Sequence, residues 1–393
     1  MKTKQQQAIF KVSLLSISVL LMSAPIISAA LPAMIDSFTS QSKSAVETVL
    51  TIPNFGIILA LLLSPFCIRV IGKKNTVLTG LVIALISGLL PALISNYSLL
   101  LGARFTFGIG IGLFNSLAVS LLAEFYEGDE LSTMMGFQSM AGSLGSAGLS
   151  FCISYLVTLG WQQTFWAYLI ILPVLILFGF FVQIPESPKT QATGEAQTEK
   201  FTVNLSVVGL SILIFFLFAF FMASVIKLPE FIIHNKIGSA SSVSIITGLS
   251  TLVGIPIGMF YGKIHQVLKQ LVLPIGLLIS AIGFFIISQS TTLPILLTGV
   301  ICSGVGFGLA VPFIYTWTAL VADKQAINFA YTCLIIATNM GVFFSPVLLN
   351  TLSKLAGHTS AGSSLLMAAL GFLCMSLVMS MKLVLKKKPI KNN

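Results

Sequence analysis

Long apolar runs alternate along this chain with short gaps that hold charges and turn residues. The gaps cut it into twelve segments, approximately 12–34, 46–68, 75–95, 99–123, 132–158, 161–183, 203–226, 241–264, 270–289, 293–320, 328–351 and 361–384. Each is close to the roughly 20 residues that cross a bilayer as a helix, allowing for tilt. Two charge-free runs, 131–185 and 270–322, are too long for one helix. Gly160-Trp161 and Ser288–Thr292 are the turns that divide them. The pattern predicts an all-α membrane protein of twelve transmembrane helices.

An even number of spans puts both ends on one side, and lysine and arginine choose the side. With the termini inside, the inner segments hold Lys2, Lys4, Lys11, Arg69, Lys73, Lys74, Lys189, Lys200, Lys263, Lys269, Lys324, Lys382, Lys386, Lys387, Lys388 and Lys391; the outer ones hold Lys43, Lys227, Lys236 and Lys354. Cytoplasmic termini in a cell membrane follow. The longest polar stretch, IPESPKTQATGEAQTEK at Ile184–Lys200, reads as an inner linker. It divides the chain into 1–183, a linker over 184–202, and 203–393. The basic tail Lys386–Asn393 is expected to touch anionic lipid. Lys2, Lys4 and Lys11 before an apolar run, with Ser28-Ala29-Ala30 behind it, resemble a signal peptide. The charge-free stretch from Val12 to Ile35 is nevertheless of spanning length, so a retained first helix is expected.

Composition agrees with lipid as the solvent. Hydrophobic residues make up 56% of the chain and charged ones 8%, against about 25% charged in soluble domains. The net charge of +10 does not imply nucleic acid, because the basic residues sit in short gaps rather than on one folded face. The five cysteines are scattered through apolar runs, and His234, His265 and His358 have no metal-ligand spacing. Gly258–Lys263, GMFYGK, is one residue short of a phosphate loop. No cofactor, no metal and no enzymatic activity are expected.

The two sides of the linker repeat one another. Leu31-Pro32 and Val46 match Leu228-Pro229 and Val243 at an offset of 197; Gly108, Gly110, Gly112 and Gly145 match Gly304, Gly306, Gly308 and Gly341 at 196. This predicts two pseudo-symmetric six-helix bundles (6+6) related by an axis along the membrane normal, with a solute site near mid-depth. The best pointer to that site is 99–123. Its one charge before the inner end is Arg104, and a guanidinium costs about 2.5–3.5 kcal/mol near the bilayer centre. Asn115 lies three turns further along the same face, roughly 16 Å deeper. Arg104 therefore faces either a wet cavity or the carbonyls of neighbouring helices. Gln138, Tyr315 and Asn339 are further candidates to line a cavity. No carboxylate lies at mid-depth, so Asp36 and Glu230, just after the paired Leu-Pro positions, are the candidate coupling groups; Asp36 could pair with Arg104.

At this point the chain resembles the major facilitator superfamily over nearly its whole length. The six-plus-six topology and the central linker carry the resemblance, with Pro65–Lys74 aligned on that family's Gly-x-Leu-Ala-Asp-Arg-x-Gly-Arg-Lys loop. Arg104 with Gly108, Gly160-Trp161 with Phe165, and Ile184-Pro185-Glu186 also fit it. A degenerate second loop, Gly258–Lys263, follows the eighth segment. The resemblance implies alternating access and an inner gate formed by Arg69, Gly72 and Lys73. Arg69 stands where the family has aspartate, so a swapped latch with Asp323 is expected. The pattern is nearest the drug:proton antiporters, although Gly142-Ser143 replaces their Gly-Pro pair. Two functions stay open: proton-linked efflux of amphipathic compounds by an adaptable cavity, and uptake of a small anionic or polar solute with Arg104 as counter-charge. A non-transporting sensor or scramblase is a third. A monomer with a small-molecule substrate, surrounded by lipid, is expected.

Overall fold

The structure is a computed structural model, and it describes residues 4–21, 23–184, 205–322, 327–357 and 360–387. The described residues are helical almost throughout. In chain order the helices are α1 (Lys4–Ser16), α2 (Leu31–Ser37), α3 (Lys43–Leu89), α4 (Tyr97–Phe125), α5 (Gly128–Leu156), α6 (Ile171–Phe181), α7 (Leu205–Phe221), α8 (Ala223–Ile226), α9 (Leu228–His234), α10 (Ala240–Leu268), α11 (Val272–Gln289), α12 (Leu293–Val321), α13 (Ile327–Leu355) and α14 (Ala361–Lys387). Among the described residues, nine helices are long and apolar enough to cross a membrane, and the bent pair Ala8–Leu20 with Ala24–Ser37 makes a tenth. The chain divides into two compact units, Met1–Thr198 with Ala240–Gly248, and Glu199–Ser239 with Leu249–Asn393.

Two of the apolar helices run for 50 residues, Lys43–Ala92 and Ala240–Gln289. A straight helix of that length would measure about 75 Å, more than twice the hydrocarbon core. Each is broken near its middle by a residue with positive φ. Gly72 has φ 82° and ψ 163°, a region open essentially to glycine alone. Lys269 has φ 49°, which costs an ordinary residue roughly 1–2 kcal/mol. The two breaks lie 197 residues apart, the repeat offset. The turn after the eighth segment is therefore at Lys269. Gly258–Lys263, expected there as a degenerate loop, lies inside α10.

A second correction concerns the seventh segment. The sequence ends it at 226 and treats Lys227 as an outer loop charge. The helical run continues through α8 and α9 to His234, and Lys227 is fully buried. Pro229 misleads because proline tolerates the first turn of a helix as well as the end of one. Leu31-Pro32 and Leu228-Pro229 both open a seven-residue helix, α2 and α9.

The repeat holds at the level of contacts. A Cβ on Gly110 would run into the backbone of Gly80 and Ala84 in α3; one on Gly306 would run into Gly276 and Ser280 in α11. Gly276 follows Gly80 by 196 residues, the same offset. Gly145 abuts Val19 and Gly341 abuts Phe215, a pair again 196 apart. In a bilayer, apolar side chains gain little by leaving lipid, so close backbone approach is what holds such helices together. Gly110→Ala and Gly306→Ala should each cost about 1–3 kcal/mol through overpacking. Gly258→Ala meets nothing within 4 Å and should be neutral or slightly stabilising. Thermal unfolding in detergent tests this; Gly110→Ala melting with Gly258→Ala would contradict it.

Candidate functional site

The first unit is organised around Arg104. The first span is interrupted between α1 and α2 by two short 3-10 stretches, Ile17–Leu20 and Ala24–Ala30, and bends by 50° there. Pro25 contributes to the interruption, since it has no N–H to give and its ring displaces the carbonyl four residues back. Arg104 reaches this break from α4. Its Nη2 donates to the Ala24 carbonyl, its Nε to the Val49 carbonyl of α3 at 3.2 Å, and its Nη1 to the Tyr168 hydroxyl at 3.1 Å. Tyr168 in turn donates to the Ser23 carbonyl at 3.0 Å. The guanidinium carbon lies 5.1 Å from the centre of the Phe107 ring. Arg104 and Tyr168 are both buried.

The partners of Arg104 are all neutral. Asp36, offered above as its counter-ion, is exposed near the end of α2 and makes no ion pair with it. The break in the first span supplies carbonyls inside the bundle, and these take the place of a carboxylate. Arg104 thus ties three segments together by hydrogen bonds to neutral groups; Glu47, the buried carboxylate of α3, is not among its hydrogen-bond partners.

The other polar positions of the first unit are Asn115 on α4, half-buried, and Gln138 on α5, nine-tenths buried. Neither amide has a hydrogen-bond partner among the described residues. The inner end carries two ion pairs, Lys73 with Glu124 at 2.6 Å and Lys11 with Glu130 at 2.7 Å. Both carboxylates flank the turn between α4 and α5. Such part-exposed pairs contribute about 0.2–1 kcal/mol each. Of the expected inner gate, Gly72 breaks α3 and Lys73 pairs with Glu124. Arg69 is exposed and has no ion pair among the described residues, and Asp323 lies outside them.

In the second unit Tyr315 is half-buried and stacks on Tyr331, with centroids 6.0 Å apart. Asn339 donates to the Ile335 carbonyl of its own helix at 2.9 Å. Glu230 is half-buried in the first turn of α9. Sequence reasoning missed Lys227. It stands one residue before Leu228-Pro229 and donates from Nζ to Asn350 Oδ1 of α13 at 2.5 Å. The repeat carried the signal: 197 residues earlier stands Ala30, which is fully buried.

Glycine-packed apolar helices, repeated once along the chain and enclosing isolated polar groups, define a multi-pass membrane carrier. The Major Facilitator Superfamily model matches residues 13–233 and again 208–393, and the chain belongs to that superfamily. A probable nitrate transporter of Staphylococcus epidermidis is 26% identical over 329 residues, covering 81% of this chain and 82% of that one. The nitrite extrusion protein of Bacillus subtilis is 26% identical over 275 residues, 67% and 66% of the two chains. Among solved structures, the nucleoside transporter NupG superposes with a TM-score of 0.76 at 13% identity, covering 96% and 100%. A D-xylose-proton symporter does so with 0.72 at 20% identity, covering 94% and 96%. These two likenesses concern the fold. The nitrate and nitrite proteins displace the likeness to drug:proton antiporters, which the missing Gly-Pro pair had already weakened, and nothing among them supports efflux of drug-like compounds.

Removing the phenol oxygen should weaken the tie without breaking it. Tyr168→Phe deletes the charge-assisted bond from Arg104 and the bond to the Ser23 carbonyl, and should cost at least about 1.5–3 kcal/mol. Arg104→Ala strands both the Val49 and Ala24 carbonyls and should cost more. Unfolding midpoints in one detergent rank the two; a smaller loss for Arg104→Ala would overturn the assignment of Arg104 as the tie.

Proposed function

We propose that this protein is a secondary carrier for a small inorganic anion, moved by alternating access between two six-helix bundles. Each 50-residue run counts as two spans, because Gly72 and Lys269 break it. With the bent first span, this brings the number to twelve. The proposed orientation keeps both termini in the cytoplasm of a cell-membrane protein; moving Lys227 from the outer loops into the bundle sharpens the charge asymmetry behind it. The carrier is proposed to work as a monomer.

One observation carries the anion reading: Arg104 is buried among neutral oxygens. A guanidinium hydrogen-bonded only to neutral groups keeps its charge available to a nearby anion. At an effective dielectric near 20, an anion about 10 Å away gains about 1.7 kcal/mol, or nearly twentyfold in occupancy. Amphipathic cations would lose as much. Asn115 and Gln138, whose amides have no hydrogen-bond partner among the described residues, are the proposed donors in the first bundle, and Tyr315 and Asn339 the proposed polar groups of the second. Relatives named as nitrate and nitrite proteins point the same way. Asp36 and Glu230 remain the proposed coupling groups if a proton gradient drives the cycle.

Counterflow in proteoliposomes tests the substrate class. Nitrate or nitrite inside the vesicle should drive uptake of the labelled anion, while ethidium should not move. Ethidium movement without anion counterflow would overturn the reading.

A further inference from the structure

The second unit contains a cavity that the transport reading does not use. Its volume is about 790 Å³. It is enclosed by the start of α7, the end of α10, the turn at Lys269, the start of α11, and the ends of α12 and α14. Lys269, Lys382, Gln270 and His265, with the hydroxyls of Ser206 and Thr316, supply its polar lining, and no carboxylate among the described residues lines it. Phe313 and Trp317 form the apolar wall, their ring centroids 5.9 Å apart. The His265 ring lies 5.9 Å from Phe313. Leu205 and Leu320, 84% and 80% exposed, also line it. On a lipid-immersed bundle, exposed leucines at the rim mean that the cavity opens sideways to the hydrocarbon.

The first bundle shows what the repeat carries at these positions. At the repeat offsets, Ile68, Gly72, Leu117 and Leu121 stand where His265, Lys269, Phe313 and Trp317 stand in the second. Leu117 and Leu121 are buried. Fold and helix breaking therefore need none of the cationic or aromatic groups. At Lys269 the chain accepts the left-handed region with a lysine, where its own first copy uses glycine. The result is a cationic lip above an aromatic wall, open to lipid.

We propose that this cavity holds one anionic phospholipid, with the phosphate between Lys269 and Lys382 and the upper acyl chain along Phe313, Trp317 and the exposed leucines. Basic pockets between helices on the lysine-rich side of a membrane protein suit such headgroups. A soluble phosphate could use the same lysines, but would leave the aromatic wall unoccupied and gain nothing from the opening to lipid.

The test uses the full chain, purified and stripped of lipid, then supplied with phosphatidylglycerol, phosphatidylcholine or glycerol 3-phosphate. Native mass spectrometry should show one retained phosphatidylglycerol, and the unfolding midpoint should rise with that lipid only. Lys269→Asn with Lys382→Gln removes both charges, and asparagine tolerates the left-handed region. This variant should retain phosphatidylglycerol roughly thirtyfold less well. Independently, a Trp161→Phe, Trp166→Phe protein, which keeps Trp317 alone, should be quenched by brominated phosphatidylglycerol and not by the brominated choline lipid. Equal retention or equal quenching by the two lipids would overturn the proposal. So would retention unchanged in the double variant, or stabilisation by glycerol 3-phosphate equal to that by the lipid. None of these readouts depends on which solute is transported.

Discussion

The first bundle depends on one buried arginine whose hydrogen-bond partners are all neutral. A broken helix inside a bilayer leaves carbonyls that water cannot reach, and each unpaired one costs several kcal/mol. Arg104 and Tyr168 cover the Ser23 and Ala24 carbonyls at that break and hold the Val49 carbonyl as well. The break thus requires the cation. The cation in turn tolerates its burial because it meets fixed dipoles on three sides and a ring on a fourth.

The second bundle solves the same architectural problem differently. Two of its glycines meet the same partners at the same offset, Gly306 on Gly276 as Gly110 on Gly80 and Gly341 on Phe215 as Gly145 on Val19. The position of Arg104 is taken by Val300, while a lysine enters where the first copy has Ala30. Lys227 crosses to Asn350 beside the interruption of the seventh span. Two copies of one backbone have thus kept their packing and changed their interior chemistry, as a carrier for an asymmetric task would require.

Much of the fold was legible in the sequence because lipid imposes length and glycine imposes proximity. The all-helical membrane character, the turns at Gly160 and after Gln289, and the helix break at Gly72 all follow from local chemistry. The environment of Arg104 was legible only as an alternative, since its acceptors come from a break that hydropathy does not register. Lys227 was misplaced because a lysine before Leu-Pro looks like the end of a span. The cavity of the second unit could not be read at all: its lining comes from four separated stretches, and each residue has an ordinary explanation in its own helix.

Anion selectivity as proposed depends on the charge of Arg104, as distinct from its hydrogen bonds. The deciding measurement is the shift in unfolding midpoint produced by saturating nitrate in wild type, Arg104→Lys and Arg104→Gln. Lysine loses the planar fork but keeps the charge; glutamine keeps hydrogen bonding but is neutral. The account predicts that both variants melt below wild type, that the lysine protein keeps the nitrate-induced rise, and that the glutamine protein loses it. A nitrate-induced rise in the glutamine protein equal to that in wild type would contradict it.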